Sequence, residues 1–203
     1  MLKLITAPTA EPITLTEAKA HLAIDSADFD ILLAGFIKGV RAHLERTLGR
    51  ALVAQTWELR LPNFPAFGDA IDIPIPPLQS VESIKYLDTF AETVTLAPAG
   101  YQVFSVGAEQ PGGVAPAYGL SWPEVRRTPE SVTIRFTSGY PDDGASPPDL
   151  AANVPADLKT AMLSMVADLF AHRESVSAED LSAVPMPAVP KALIAPYKVW
   201  KFV

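Results

Sequence analysis

Apolar positions recur every three or four residues at both ends of the chain and every second residue in the middle. That change of period predicts helices, then strands, then helices again. Thr14-Leu15-Thr16-Glu17 has the form of a capping box, so a short helix should follow with Leu15, Ala18 and Leu22 on one face. Asp25, Ser26 and Asp28 supply caps and first-turn acids for a second helix. Its stripe is Phe29, Leu32, Leu33, Phe36, Ile37, Val40, Leu44, Thr47 and Leu48, and Gly49 stands where a left-handed cap should end it. In the middle, Val53, Trp57, Leu59 and Leu61 alternate with Thr56, Glu58 and Arg60, as in a half-buried strand. Ile71, Ile73 and Ile75 alternate too, but Pro74 restricts that segment to a sheet edge. Further strands are expected at Val81–Leu87, Thr93–Leu96, Tyr101–Phe104 and Val132–Thr137, with turns at Pro76-Pro77, Asp88-Thr89, Pro98-Ala99-Gly100 and Gly112-Gly113. Pro155 suits the first position of a third long helix with Leu158, Met162, Met165, Val166, Leu169 and Phe170 inward. A weaker helix starts at Pro190 and stops at Pro196, before the aromatic segment Tyr197-Lys198-Val199-Trp200-Lys201-Phe202-Val203.

The placement of the 20 prolines sharpens this division. The fold class it predicts is α+β, a helix bundle with an inserted, antiparallel β-rich unit and an extended C-terminal tail. The expected boundaries are 1–50 and 141–195 for the helical core, 51–140 for the β insertion, and 196–203 for the tail. No internal repeat interrupts that scheme.

Composition mainly removes options. The chain of 203 residues has no cysteine, which excludes disulfides, thiolate nucleophiles and cysteine-ligated metal sites, and only three histidines. Sixteen basic against 23 acidic residues leave a net charge of −7, with no basic zone, which argues against a regulator that grips DNA through its surface. No apolar run approaches the roughly 18 residues of a membrane span. The opening Met1-Leu2-Lys3-Leu4-Ile5-Thr6-Ala7-Pro8 is too short, and too soon broken by proline, to serve as a secretory leader.

Each catalytic template fails on a particular residue. A phosphate loop through Gly107 and Gly112 meets Gly113 where its lysine belongs. Gly119-Leu120-Ser121-Trp122-Pro123 lacks the second glycine of a nucleophile elbow, and its proline opposes the helix that should follow. Asp25, Asp28 and Asp30 have the wrong spacing for a calcium loop, with Phe36 at its last position, and read as helix caps. His172-Arg173-Glu174 sits at a helix end that favours cations. Arg41, Arg46 and Arg50 put positive charge along the end of the second helix; a solvated face explains them better than a nucleic-acid contact. The tail has two equal readings, the last piece of the core or a docking peptide.

The order of several short motifs resembles that of the head–tail connector (adaptor) proteins of long-tailed bacteriophages and phage-derived gene transfer agents. Those motifs are Leu15-Thr16-Glu17-Ala18-Lys19-Ala20-His21-Leu22, Thr47-Leu48-Gly49-Arg50, Gln55-Thr56-Trp57 and Pro76-Pro77-Leu78-Gln79-Ser80-Val81. They continue with Pro116-Ala117-Tyr118-Gly119-Leu120-Ser121-Trp122-Pro123, Val132 to Tyr140, and Ala195-Pro196-Tyr197-Lys198-Val199-Trp200. The resemblance implies a non-enzymatic subunit without cofactor or metal. It would be made in the bacterial cytoplasm and carried in the particle neck, with no membrane contact. Copies would form a ring oligomer, a dodecamer by that resemblance, beneath the portal protein. The ring would extend the DNA channel without binding DNA specifically and meet a stopper or tail terminator on its far side. Tyr197, Lys198, Val199, Trp200, Lys201 and Phe202 are then the expected contacts with the portal or a neighbouring subunit. The rival readings are an accessory binding module and a hydrolase whose carboxylates meet only in the fold.

Overall fold

A computed structural model describes residues 1–172 and 188–199 of the chain. Its contacts divide into two units, one of Met1–Thr9 with Gly49–Pro141, the other of Ala10–Leu48 with Asp142–Val203. The class is α+β: four helices and antiparallel sheets among the described residues.

The first unit holds eight strands. These are β1 (Leu2–Thr6), β2 (Gln55–Leu61), β3 (Ile71–Asp72), β4 (Leu78–Leu87), β5 (Thr93–Thr95), β6 (Tyr101–Phe104), β7 (Gly113–Pro116) and β8 (Val132–Ser138). Five form one sheet in the order β1-β2-β8-β4-β5, and three form a second in the order β3-β7-β6. The central register sets Leu59 against Ile134 and Trp57 against Phe136, so the apolar positions of β2 and β8 share one face. On that face Leu59, Ile84, Val132, Ile134 and Phe136 pack with Val114 of the small sheet into the core.

Two sequence expectations change here. Residues 1–9, expected with the helices, belong to this unit, because β1 pairs antiparallel with β2 along the sheet edge, Leu2 opposite Leu59 and Leu4 opposite Trp57. A five-residue segment cannot announce a partner more than 50 residues away. The Gly112-Gly113 pair, expected as a turn, leads directly into β7. Glycine is needed at 113 for space, since a Cβ there would lie 2.4 Å from the Phe104 ring and 2.6 Å from the Ile71 carbonyl oxygen. The alternating run at Ile71–Ile75 pairs only over Ile71–Asp72 before Pro74 ends it, and β3 is an edge strand.

The second unit contains α1 (Leu15–Leu22), α2 (Asp30–Leu48), α3 (Ala156–Ala171) and α4 (Ala188–Ile194), the last followed by a 3-10 turn, Ala195–Tyr197. The capping box forms: the Glu17 N–H donates to the Thr14 hydroxyl at 3.1 Å, and the Glu17 carboxylate accepts from the Thr14 N–H at 2.6 Å. Gly49 follows α2 in the left-handed conformation, φ 70°. Leu33, Ile37, Val40, Leu44 and Leu48 of α2 are buried, as are Leu158, Ala161, Met162 and Val166 of α3.

The apolar stripes read from sequence are wider than their buried parts. Leu32 is 37% and Leu169 43% exposed, because the neighbouring helices cover only one side of each stripe. Pro155 is the cap residue before α3 and not its first residue. α4 starts two residues before Pro190, a position where the proline's missing N–H is harmless. Pro196 does not release the chain, since the 3-10 turn carries it on to Tyr197.

Stability measurements should follow this burial. Leu44→Ala should cost about 2–5 kcal/mol in denaturant unfolding, whereas Leu169→Ala should stay within about 0.5 kcal/mol of wild type. Equal losses at the two sites would contradict the arrangement. Gly35, inside α2 and exposed with open space around a Cβ, should give a protein about 0.5–1 kcal/mol more stable as Gly35→Ala.

Candidate assembly surfaces

Several carboxylates and guanidinium groups form ion pairs within each unit. Glu58 of β2 faces Arg135 of β8 across the ladder and lies buried on the sheet's outer face. Arg135 donates to Glu58 Oε1 from Nη2 at 2.6 Å and from Nε at 3.2 Å. Arg60 Nη2 donates to Glu58 Oε2 at 2.9 Å, and Arg60 Nη1 to Glu130 at 2.7 Å. The hydrogen bond from Arg135 is the main cause that holds the Glu58 carboxyl below its usual range. A carboxylate kept ionised between two guanidinium groups is a poor proton donor, so Glu58 is unsuited to act as a general acid. Among the described residues no three His, Cys, Asp or Glu side chains gather as a metal site.

Glu58 also predicts a pH dependence. Its folded-state pKa is depressed, so its stabilising contribution is complete above the ordinary glutamate range and disappears as pH falls through the folded value. Unfolding midpoints of wild type should therefore fall more steeply on acidification than those of Glu58→Gln. Parallel profiles from neutral pH to pH 3 would count against the ion-paired assignment.

The three arginines expected along the end of α2 do not form one positive face. Arg41 donates from Nε to Glu11 and from Nη1 to Glu45, each at 2.7 Å. Arg46 is exposed, and its Nε donates to the Ala42 carbonyl at 3.2 Å. Arg50 lies beyond the helix in the first unit, 3% exposed, where it donates to the Glu109 carboxylate and, at 2.8 Å, to the Tyr140 hydroxyl. Tyr140 in turn donates to Glu109 at 3.0 Å. This triad joins the β6–β7 loop to the two chain segments that leave the sheet unit at Gly49 and Pro141. It escaped sequence reasoning because its members are 31 to 90 residues apart.

The tail is anchored for as far as it is described. The Val199 N–H donates to the Leu48 carbonyl at 2.8 Å, and the Tyr197 hydroxyl reaches Asp157 at 3.5 Å. Tyr197 and Val199 are half-buried and Lys198 is exposed. The expectation that the chain leaves the core at Pro196 is thus corrected; Trp200, Lys201 and Phe202 lie outside the described residues.

Large apolar side chains are instead offered to solvent elsewhere. In the first unit the β4–β5 hairpin presents Phe90 at 85% exposure, its turn held by Asp88, which accepts from the Phe90 and Glu92 amides at 2.9 Å. The turn Ala117–Leu120 presents Tyr118, fully exposed, and Leu120 at 57%. This second turn is stiff. Gly119 adopts φ 76°, the Leu120 N–H donates to the Ala117 carbonyl at 2.9 Å, and the Ala117 N–H donates to the Gly100 carbonyl at 3.1 Å. Just beyond it, Trp122 is buried, stacks on Phe64 at 4.7 Å and donates through its indole N–H to the Asp69 carbonyl at 2.9 Å. In the second unit an open groove of about 420 Å³ runs between the start of α1, the outer side of α2 and residues 148–151. Ile13, Leu15, Ile37 and Leu150 line it, with Lys38 and Asp149 also on its walls. No described helix is long and apolar enough to cross a membrane.

No family model and no curated protein matches the chain. Solved structures do. The neck of an empty gene transfer agent (GTA) particle with C6 symmetry matches with a TM-score of 0.74 and 23% identity, over 100% of this chain and 97% of that one. A chain in the virion of the native GTA particle gives the same values. The neck of the native GTA particle with C12 symmetry matches with a TM-score of 0.72 and 25% identity over the same shares. The chain therefore has the fold of a structural neck component of such particles.

Proposed function

We propose that this protein is the head–tail connector (adaptor) of a phage-like particle. It assembles as a ring beneath the portal, extends the DNA channel and offers a platform to the stopper or tail terminator. The observation that carries this reading is the end-to-end likeness to chains of rotationally symmetric necks, with nearly complete coverage of both partners. The charge distribution agrees with it. Arg41, Arg50, Arg60 and Arg135 are all engaged with carboxylates, which reduces the positive charge available to hold passing DNA by counterion release. The C12 symmetry of one of the similar necks supports a ring of twelve copies.

Removing the protein from a producing strain should leave DNA-filled heads that do not join tails, and a cryo-electron microscopy map of the neck should place it as a ring next to the portal. Normal tailed particles without the protein would end this reading. Of the expected docking residues Tyr197 to Phe202, Tyr197 and Val199 are tied to the helices, so the proposed portal contact is assigned mainly to residues 200–203. Deleting residues 200–203, with Trp200, Lys201 and Phe202, should leave the thermal midpoint unchanged and abolish incorporation into particles. Normal incorporation, or unfolding of the truncated chain, would remove the docking role.

A further inference from the structure

Two features of the described residues present apolar surface outside the core: a stiff turn that holds Tyr118 and Leu120 in solvent, and the largely apolar groove of the helical unit. Exposed apolar groups on a rigid support are costly in water and are frequent anchors at protein interfaces. Building on the ring reading above, we propose that Tyr118 and Leu120 of one copy seat in the groove lined by Ile13, Leu15, Ile37 and Leu150 of the next copy. A closed ring requires two different, mutually complementary patches on every chain, and the described residues include a projecting apolar turn and a concave, largely apolar groove.

The chemistry of the two surfaces agrees. Much of the groove lining is aliphatic, and Asp149 among the lining residues offers a carboxylate acceptor for the phenolic hydroxyl of Tyr118. The turn is already ordered by Gly119 and by the Leu120-to-Ala117 hydrogen bond, so seating it costs little conformational entropy. The groove is partly open to solvent, a form that suits a protein turn better than a small molecule, which is usually enclosed on most sides. The contact is also small. An aromatic side chain buries about 150–250 Å², far below the roughly 1,200 Å² of a stable pairwise interface. Two copies alone should therefore separate, while a closed ring gains from every contact acting together.

The absence of cysteine permits a direct test on the full chain. Tyr118→Cys and Ala34→Cys, the latter on the groove wall, are made singly and together and oxidised during ring assembly. The double variant should give a covalent ladder of dimers, trimers and longer products on a non-reducing gel. A mixture of the single variants should stop at dimers. Separately, Tyr118→Ser/Leu120→Ser should melt like wild type but need at least about tenfold more protein to form rings. Rings of the double-cysteine variant without a ladder, together with undiminished assembly of the serine variant, would overturn the contact and leave the ring reading intact. Serine-variant rings that form normally but fail to load onto heads would also overturn it, by assigning the turn to another neck protein. Absence of any ring of the wild-type chain in purified necks would overturn the ring reading itself.

Discussion

Gly139→Ala should produce the largest loss of stability of any single small substitution in the β unit, about 4 kcal/mol or more. Gly139 has φ 127°, a region that side-chain-bearing residues rarely enter. A Cβ there would also lie 2.3 Å from the Val53 carbonyl oxygen, 2.4 Å from its carbon and 2.7 Å from the Ala54 nitrogen. All three are backbone atoms, so no rotamer change relieves the clash. Moving the chain aside would strain the hydrogen bonds that fix it, from Gly139 N–H to the Pro77 carbonyl and from the Gln79 side-chain amide to the Gly139 carbonyl, each at 2.9 Å. At about 2–4 °C per kcal/mol for a chain of this size, the midpoint should fall by about 8–16 °C. Gly119→Ala, with left-handed φ but open surroundings, should cost only about 1–2 kcal/mol. Similar melting curves for the two variants would show that crowding by Val53 is not what requires glycine at 139.

The second large effect concerns Arg50, and the order of two variants is its signature. Glu109→Ala should cost about 2–3 kcal/mol, because it leaves a guanidinium at 3% exposure with its carboxylate partner gone. That figure lies at the low end for a broken buried pair, since the Glu109 side chain is itself 53% exposed and its charge is screened by water. Arg50→Met keeps most of the buried stem and removes the charge, while Glu109 can turn fully into solvent, so about 1 kcal/mol is expected. The double variant should be more stable than Glu109→Ala alone. Urea unfolding of the three proteins decides the matter; if Arg50→Met is the worst, the cluster serves Glu109 and not the buried cation. Tyr140 adds a check in alkali. Burial is the main cause that raises its phenol pKa, so the stability it contributes is present below the usual tyrosine range and falls away as pH rises above it. Tyr140→Phe should flatten that decline.

Much of the helical unit was legible because its signals are local. The Thr14 and Glu17 capping pair, the buried Leu33–Leu48 stripe and the left-handed Gly49 each depend on neighbours within about one or two helical turns. The strands at Tyr101–Phe104 and Val132–Ser138 were equally readable from alternation and flanking turns. The candidate site was less so. Tyr118 and Leu120 lie in a motif visible in the sequence, yet composition cannot tell a buried tyrosine from a presented one. The groove arises only when α1, α2 and residues 148–151 approach.

The sequence by itself determined where the chain turns, which faces of its helices and strands are apolar, and that chemistry needing cysteine is excluded. Those properties follow from backbone sterics, side-chain hydrophobicity and residue type, which act over a few residues. The tertiary structure alone decided that residues 2–6 complete a sheet beside β2, that Gly113 and Gly139 must lack side chains, and that Arg50 meets Glu109 and Tyr140. It also decided that Leu169 faces water and that Val199 returns to Leu48. Each of these is a relation between segments distant along the chain, set by packing and by the pairing of backbone groups, and periodicity holds no record of which segments will meet.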